Sequence, residues 1–169
     1  EELKAGLNNA YRQLRELLTT FRLRMDGRGL PDALQDTVRE FAERTGLDLR
    51  LHDRLLGHEL DSSEQIHVLQ VVREALTNVE HHAKARRADV RLAIEQGRVR
   101  VTVDDDGVGI KDAEPPTHHY GLAIMRDRAA TLRGTFSVSR RVEGGTHVEL
   151  EFSPRGPYQA AASRVSVNA

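Results

Sequence analysis

The sequence predicts an α+β fold, a two-layer sandwich in which a mainly antiparallel mixed sheet carries helices on one face, preceded by a long helix. The first observation is a helical periodicity of apolar residues between 66 and 79. The second is the alternation of apolar and polar residues in two hairpins, at 88–103 and 136–152. Helices and sheets that each have one apolar face bury these faces against each other, which gives two layers.

The predicted helix around residues 66–83 carries a polar stripe beside its apolar one. Its apolar residues recur at steps of three and four, at Ile66, Leu69, Val72, Leu76 and Val79. Glu74, Asn78 and His82 follow one another at steps of four and therefore share a different face. Asn is a weak helix former, because its side chain competes with the backbone for hydrogen bonds. A functional stripe is therefore only slightly favoured over an ordinary solvated surface.

The remaining secondary structure follows from the same periodicities. Outside the hairpins, the patterns predict helices over 1–25, 31–44 and 122–132, a strand over 47–51 and a polar loop over 52–60. Ser62, with Gln65 three residues later, has the spacing of a helix capping box. The turn-rich stretch 26–31 predicts a domain boundary.

Three segments follow from these elements. We expect a helical arm over 1–26, one folded domain over 30–153 and a tail over 154–169. The tail is poor in bulky apolar residues, and this composition predicts disorder. The sequence opens without a Met in the middle of a helical pattern, so we expect it to be a piece of a longer protein.

Composition excludes several classes of function. The 25 basic and 26 acidic side chains give a net charge of -1, which argues against bulk electrostatic binding of nucleic acid. The sequence has no cysteine, so it has no disulfide, thiolate zinc site or cysteine nucleophile. No apolar run approaches the roughly 20 residues that span a bilayer. This says nothing about a membrane segment elsewhere in a longer parent protein.

An acidic, glycine-rich segment directly follows the first hairpin. It reads Asp-Asp-Asp-Gly-Val-Gly over residues 104–109. The glycines allow a sharp turn and a close approach of the backbone to a ligand. A carboxylate fixed by such a turn can accept a hydrogen bond from an exocyclic amine such as N6 of adenine. The alternatives are an acidic turn or a Ca²⁺ loop, although the residues from Ile110 onward break the spacing of an EF-hand.

Several short motifs occur in a fixed order within the predicted domain. They are Glu74-x-x-x-Asn78, a β-hairpin, Asp105-x-Gly107-x-Gly109, a short segment that ends in His119-Tyr-Gly-Leu122, and Gly144-Gly-Thr146. In this order they resemble the ATP-binding domain that histidine kinases, gyrase, the ninety-kilodalton chaperone and mismatch-repair ATPases share. The resemblance covers about residues 30–153 and implies that ATP and Mg²⁺ bind here.

Longer stretches narrow the resemblance. Gln13-Leu-Arg-Glu-Leu-Leu-Thr-Thr-Phe-Arg-Leu23 and His119-Tyr-Gly-Leu-x-Ile-Met-Arg-Asp-Arg-Ala129 resemble bacterial nitrate/nitrite sensor histidine kinases. This implies that residues 1–26 are the second helix of a dimerisation and phosphotransfer hairpin. It also implies a homodimeric parent in the bacterial inner membrane, whose cytoplasmic part phosphorylates a histidine. The implied partner is a response regulator with a helix-turn-helix output, and the chain itself would not contact nucleic acid.

The resemblance implies roles for individual residues. Asn78 would bind Mg²⁺, Glu74 would act in catalysis beside it, and Asp105 would select adenine. Thr146 would support the Asp105 contact through its hydroxyl or a water molecule. The other residues implied to bind the nucleotide are His82, Gly107, Gly109, Tyr120, Gly121 and Leu122.

Four basic side chains are candidate neighbours of the phosphates, and a solvated surface is at least as good an explanation for each of them. They are His81, His82, Arg126 and Arg128. The family often has Lys where His81 stands, and a neutral imidazole stabilises phosphate less than an ammonium group does. The lid over about 111–120 is short, which favours the kinase type over the long lid of the gyrase type.

The phosphoacceptor is missing from this sequence. No histidine lies between residues 1 and 51, and His52, although followed by Asp53, is predicted to lie in a surface loop. We therefore expect no autophosphorylation of this chain. Two other functions stay open, which are an ATP hydrolase of the gyrase or mismatch-repair type and a module for dimerisation or docking that ignores nucleotide.

Overall fold

The computed structural model describes Leu14, residues 29–110 and residues 120–155. Apart from Leu14, the predicted arm over 1–26 lies outside the described residues, as do residues 111–119 and the tail from residue 156. The elements are α1 (Leu30–Thr45), β1 (Asp48–Arg54), α2 (Ser62–Asn78), β2 (Arg87–Glu95), β3 (Arg98–Asp105), α3 (Tyr120–Thr131), β4 (Thr135–Arg140) and β5 (Thr146–Phe152). A π-helical turn, Val79–Ala83, continues α2.

The five strands form one mixed sheet in the order β1-β2-β3-β5-β4. β1 runs parallel to β2, and the other three neighbouring pairs are antiparallel. Along β3, buried and partly exposed residues alternate, as the pleat of a strand with one buried face requires. The predicted fold class, with its mainly antiparallel mixed sheet, is confirmed.

The hydrophobic core lies between the sheet and the helices. Val72 and Leu76 of α2, Leu92 of β2, Met125 of α3 and Phe152 of β5 are each at most 1% exposed. Full burial of one such side chain is worth about 1.5–3 kcal/mol relative to its exposure. This packing fixes the rotation of α2, so the polar stripe of the helix is held in one direction.

The opposite face of the sheet carries paired charges. Asp89 of β2 lies 3.4 Å from Nε2 of His52 on β1. Asp104 of β3 accepts a hydrogen bond of 2.7 Å from Arg91 and lies 2.6 Å from Nδ1 of His147 on β5. The side chains of Asp89 and Asp104 are only 9% and 13% exposed, so these partners replace water around the two carboxylates. No helix among the described residues combines the length and hydrophobicity needed to cross a membrane.

The position of His52 differs from the prediction. It lies in β1 rather than in a loop, because the parallel pairing with β2 continues as far as Arg54 and Ala93. β1 lies at the edge of the sheet, so its last residues can be polar and exposed and still pair with β2. Alternation of apolar residues stops at Leu51 and could not reveal this extension.

The N-terminal cap of α2 also differs from the prediction. The capping box consists of Asp61 and Glu64, one residue before the predicted pair Ser62 and Gln65. Asp61 Oδ1 accepts the Glu64 N–H at 2.8 Å, and Glu64 Oε2 accepts the Asp61 N–H at 2.9 Å. Two charged acceptors suit the positive end of a helix better than the neutral pair does. The other oxygen of Glu64 accepts the N–H of Arg155, which ties the end of β5 to the start of α2.

Asp106 joins the end of β3 to the start of β2. Its Oδ1 accepts the backbone N–H groups of Arg86 and Arg87 at 2.8 and 2.9 Å. The N–H groups of Arg87 and Arg86 hold the pKa of the Asp106 carboxyl below its ordinary value, and slight burial opposes them only in part. The glycine-rich turn after β3 therefore starts from a fixed backbone.

The Asp61 cap should contribute to the stability of the fold. Asp61→Ala removes the acceptor for the Glu64 N–H and should lower the free energy of unfolding by about 1 kcal/mol. Ser62→Ala, the control at the next residue, should change it by less than about 0.5 kcal/mol. Urea denaturation at neutral pH measures both. A larger loss for Ser62→Ala than for Asp61→Ala would show that Ser62 caps the helix, as the sequence predicts.

Asp106→Asn should change how stability depends on pH. Because the folded-state pKa lies below the unfolded value of about 3.9, the ionised group stabilises the fold above that pH. This contribution is lost as the pH falls through the folded-state pKa. We expect the unaltered chain to be more stable than Asp106→Asn at neutral pH and the gap to shrink below about pH 4. Urea unfolding at several pH values would show a constant gap if Asp106 had no such role.

Candidate functional site

The polar stripe of α2 faces the start of α3. Glu74 and Asn78 are half-buried in the last turns of α2. A Cβ atom added to Gly121, the second residue of α3, would collide with Glu74 Oε1 and lie 3.3 Å from Asn78 Oδ1. Only a glycine lets the start of α3 approach these two side chains so closely. The N–H groups of a helix start suit an anion, and here the start of α3 lies beside a carboxylate and an amide.

A π-helical turn carries the chain from Asn78 to the glycine-rich loop. This turn, Val79–Ala83, ends at Lys84, whose φ of 50° is left-handed. The Ala83 carbonyl accepts the Val108 N–H at 2.8 Å. A Cβ atom on Gly107 would collide with the same carbonyl. The end of the polar helix and the loop after β3 are therefore in direct backbone contact.

Asp105 is the last residue of β3 and is 4% exposed. Its Oδ1 accepts the Gly107 N–H at 2.8 Å, which fixes the side chain relative to the loop. Its backbone carbonyl accepts a hydrogen bond of 2.7 Å from Arg141 Nη1. Among the described residues, Oδ2 has no hydrogen-bond partner, so it is the oxygen left to accept a donor from a ligand.

The second glycine turn packs against the first. A Cβ atom on Gly145 would collide with the Asp105 carbonyl, and one on Gly109 would lie 3.0 Å from the Gly145 carbonyl. Gly109 also has a φ of +76°, which L side chains rarely adopt. Thr146, the next residue, is half-buried and starts β5. The β3–β5 register pairs Asp104 with His147, so Thr146 lies beside Asp105.

The structure thus brings most of the predicted site residues to one junction between α2, α3 and the ends of β3 and β5. These are Glu74, Asn78, Asp105, Gly107, Gly109, Gly121 and Thr146. Leu122 is half-buried and packs on the hydrophobic core. His82 is exposed on the π-helical turn, with its ring centroid 6.2 Å from that of His81. Arg126 is exposed on α3. The side chain of Tyr120 lies outside the description.

Sequence reasoning missed three parts of this junction. The π-helical turn has no periodicity of its own over five residues, so it reads as the end of an α-helix. Asp106 appeared only as one of three aspartates. Arg141 precedes the glycine turn by three residues, and its contact with Asp105 spans 36 positions. A local sequence pattern cannot predict a contact between residues so far apart in the chain.

Comparison with known proteins identifies the family of this arrangement. Residues 63–156 match the family described as histidine kinase-, DNA gyrase B-, and HSP90-like ATPase. The nitrate/nitrite sensor protein NarX of Escherichia coli K12 is 40% identical over 153 residues, which are 90% of this chain and 26% of NarX. NarQ of the same strain is 42% identical over 152 residues, 89% of this chain and 27% of NarQ.

Solved structures share the fold. The blue-light activated histidine kinase of Erythrobacter litoralis EL346 superposes with a TM-score of 0.72 at 22% identity, covering 87% of this chain and 54% of that one. The catalytic domain of the histidine kinase ThkA superposes with a TM-score of 0.56 at 20% identity, covering 74% of this chain and 95% of that one. At such identities these likenesses support the fold alone.

The match covers only part of each relative. The chain spans about a quarter of the length of NarX and NarQ. The family match covers α2, the sheet from β2 onward and both glycine turns, which are the elements that form the junction. The chain belongs to the histidine kinase-, DNA gyrase B-, and HSP90-like ATPase family, and its ATP-binding domain is of the NarX and NarQ type.

Proposed function

We propose that this chain is the catalytic ATP-binding part of a two-component sensor histidine kinase. It binds Mg-ATP and transfers the γ-phosphate to a histidine on a helix that this sequence does not contain. The phosphoryl group then passes to an aspartate of a response regulator. One observation carries the proposal. Asn78 faces Gly121 at the start of α3, and the turn that follows Asn78 contacts the loop of Asp105 through Ala83 and Gly107.

The carboxylate end of this junction suits adenine. Asp105 is buried, its Oδ1 is held by the Gly107 N–H, and its Oδ2 points to no described partner. An ionised carboxylate only accepts hydrogen bonds, so it favours a base that offers an amine. Guanine carries a carbonyl oxygen at the corresponding position, and two acceptors would then face each other. We assign Thr146 to the same end, where its hydroxyl supports the base through a direct or water-mediated hydrogen bond.

The amide end suits the triphosphate. Asn78 Oδ1 faces the start of α3, where free N–H groups and the positive end of the helix dipole would hold phosphate oxygens. The amide oxygen of Asn78 fits Mg²⁺, which prefers oxygen ligands and commonly takes only one or two from the protein. When bound, the ion would neutralise negative charge on the phosphate oxygens. Tyr120, Leu122 and His82 are proposed to line the nucleotide on this side.

Glu74 is our proposed catalytic carboxylate. Its Oε1, like Asn78 Oδ1, faces Gly121 at the start of α3, where we place the reacting phosphate. A group that attacks phosphorus loses a proton during transfer, and a carboxylate at this place can accept it. The attacking group is a histidine in a kinase and a water molecule in a hydrolase. The same position of Glu74 therefore makes ATP hydrolysis the second candidate function.

The partners follow from the relatives. NarX and NarQ, named as nitrate/nitrite sensor proteins, support a parent that senses a signal. We propose that this parent passes the signal to a response regulator with a helix-turn-helix output. We propose that this parent is a homodimer anchored in the bacterial inner membrane, with the present domain in the cytoplasm. Residues 1–26 would then belong to its dimerisation and phosphotransfer hairpin, and the chain would not contact nucleic acid directly.

The adenine assignment predicts a nucleotide-binding defect. Asp105→Asn keeps the shape of the side chain and an oxygen for the Gly107 N–H, but it removes the charge that attracts the amine. We expect ATP binding in the presence of Mg²⁺ to weaken about tenfold or more, as for a lost charge-assisted hydrogen bond. Isothermal titration with a non-hydrolysable ATP analogue measures this. The control Glu143→Gln, at an exposed turn, should bind normally. No binding by the unaltered chain, or equal binding by Asp105→Asn, would refute the assignment.

The catalytic assignment predicts loss of turnover without loss of binding. With the phosphoacceptor hairpin of the parent supplied as a separate protein, Glu74→Gln should transfer labelled γ-phosphate at least 100-fold more slowly, as is usual for removal of a general base. Its affinity for ATP should change by less than about threefold, since the base contributes little to ground-state binding. The unaltered chain alone should incorporate no label.

Phosphate release separates the two candidate functions. A hydrolase would release phosphate steadily without the acceptor hairpin, and Glu74→Gln would abolish that release. A kinase would form an acid-labile, base-stable phosphohistidine on the hairpin. A chain that dimerises and ignores ATP in every assay would instead be a docking module.

A further inference from the structure

We propose that Arg141, in the turn between β4 and β5, is a positioning residue that sets the selectivity of the site for an adenine base. It acts by holding the backbone of Asp105, and the inference rests on the proposed nucleotide site. Arg141 lies outside the motifs of the sequence analysis.

At Asp105, the strand pairing of the sheet ends on one side of β3. On the β2 side, Asp105 still pairs with Ala88. On the β5 side, the pairing ends one residue earlier, at Asp104 and His147. A buried carbonyl without a partner is costly. Arg141 Nη1 supplies this partner with a hydrogen bond of 2.7 Å.

Arg141 is itself held in place. Its backbone N–H donates to the Gly145 carbonyl at 3.0 Å, and its carbonyl accepts the Gly144 N–H at 3.2 Å. Its Nε lies 3.9 Å from Asp104 Oδ1, and its Nη2 lies 3.7 Å from the exposed Glu143 carboxylate. The side chain therefore bridges the glycine turn and the end of β3.

Arg141 provides the second of two contacts that hold the Asp105 carboxylate in place. The Gly107 N–H fixes the side chain through Oδ1, and Arg141 fixes the backbone from which that side chain extends. Gly145 packs against the same carbonyl, so the backbone cannot shift toward the turn without a collision. Loss of the guanidinium leaves the carboxylate able to move, and a misplacement of about 1 Å is enough to spoil an oriented contact.

A positioning role and a structural role predict different results. If Arg141 only stabilised the fold, its loss would weaken the binding of every nucleotide to a similar degree. If it positions Asp105, its loss weakens only those nucleotides that donate a hydrogen bond to the carboxylate. Purine riboside triphosphate is the matched probe, because it carries a hydrogen atom in place of the C6 amine of ATP and offers no hydrogen-bond donor at that edge of the base.

The experiment compares the affinities of ATP and purine riboside triphosphate, both with Mg²⁺, for four proteins. These are the unaltered chain, Arg141→Met, Arg141→Lys and Glu143→Gln. Methionine keeps the apolar stem and removes the donors, whereas lysine keeps a cationic donor. Glu143→Gln removes the exposed ion-pair partner of Arg141 and leaves its bond to Asp105. Circular dichroism of each protein without nucleotide checks that it is folded.

We expect Arg141→Met to lower the preference for ATP over purine riboside triphosphate about tenfold, the effect of one hydrogen bond of 1–1.5 kcal/mol. Arg141→Lys should keep the preference within about threefold of the unaltered chain, and Glu143→Gln should not change it. An equal loss of both nucleotides in Arg141→Met and Arg141→Lys, or an unchanged preference in Arg141→Met, would overturn the inference. Failure of the unaltered chain to bind ATP, or to prefer it, would instead overturn the proposed function.

Discussion

The contact between the Ala83 carbonyl and the backbone of Gly107 and Val108 is the constraint on which the rest of the site depends. It joins the helix that carries Glu74 and Asn78 to the loop that fixes Asp105. A side chain at residue 107 would separate these two elements, and the amide and the buried carboxylate could not serve one ligand. The close approach needs a glycine at residue 107, and the Ala83 carbonyl that it meets is the last of the π-helical turn.

The surrounding structure keeps this contact in register. Val72 and Leu76 hold the rotation of α2 against the sheet, and the Asp61–Glu64 cap defines where the helix begins. On the other side, Asp106 ties the end of β3 to the start of β2, and Arg141 ties it to the turn before β5. The site therefore lies at the ends of regular elements, where glycines permit close approach and the core prevents drift.

Much of this organisation could be predicted from the sequence, for identifiable reasons. Apolar periodicity predicts α2 and both hairpins because each has one face on a single core. The order of Glu74, Asn78, Asp105 and the glycines predicts the family because this order of motifs along one domain is typical of it. The cap, the end of β1 and the contact of Arg141 could not be predicted. The first depends on a choice between two overlapping residue pairs, and the other two depend on partners that are distant in sequence.

A crystal structure of the chain with Mg²⁺ and a non-hydrolysable ATP analogue tests the central claim most directly. The account predicts one nucleotide that spans the junction. Its adenine N6 should lie within about 3.2 Å of Asp105 Oδ2. Its Mg²⁺ should lie about 2.1 Å from Asn78 Oδ1, with the phosphates against the start of α3. A nucleotide that contacts only one of these two residues, or that binds on another surface, would contradict the account.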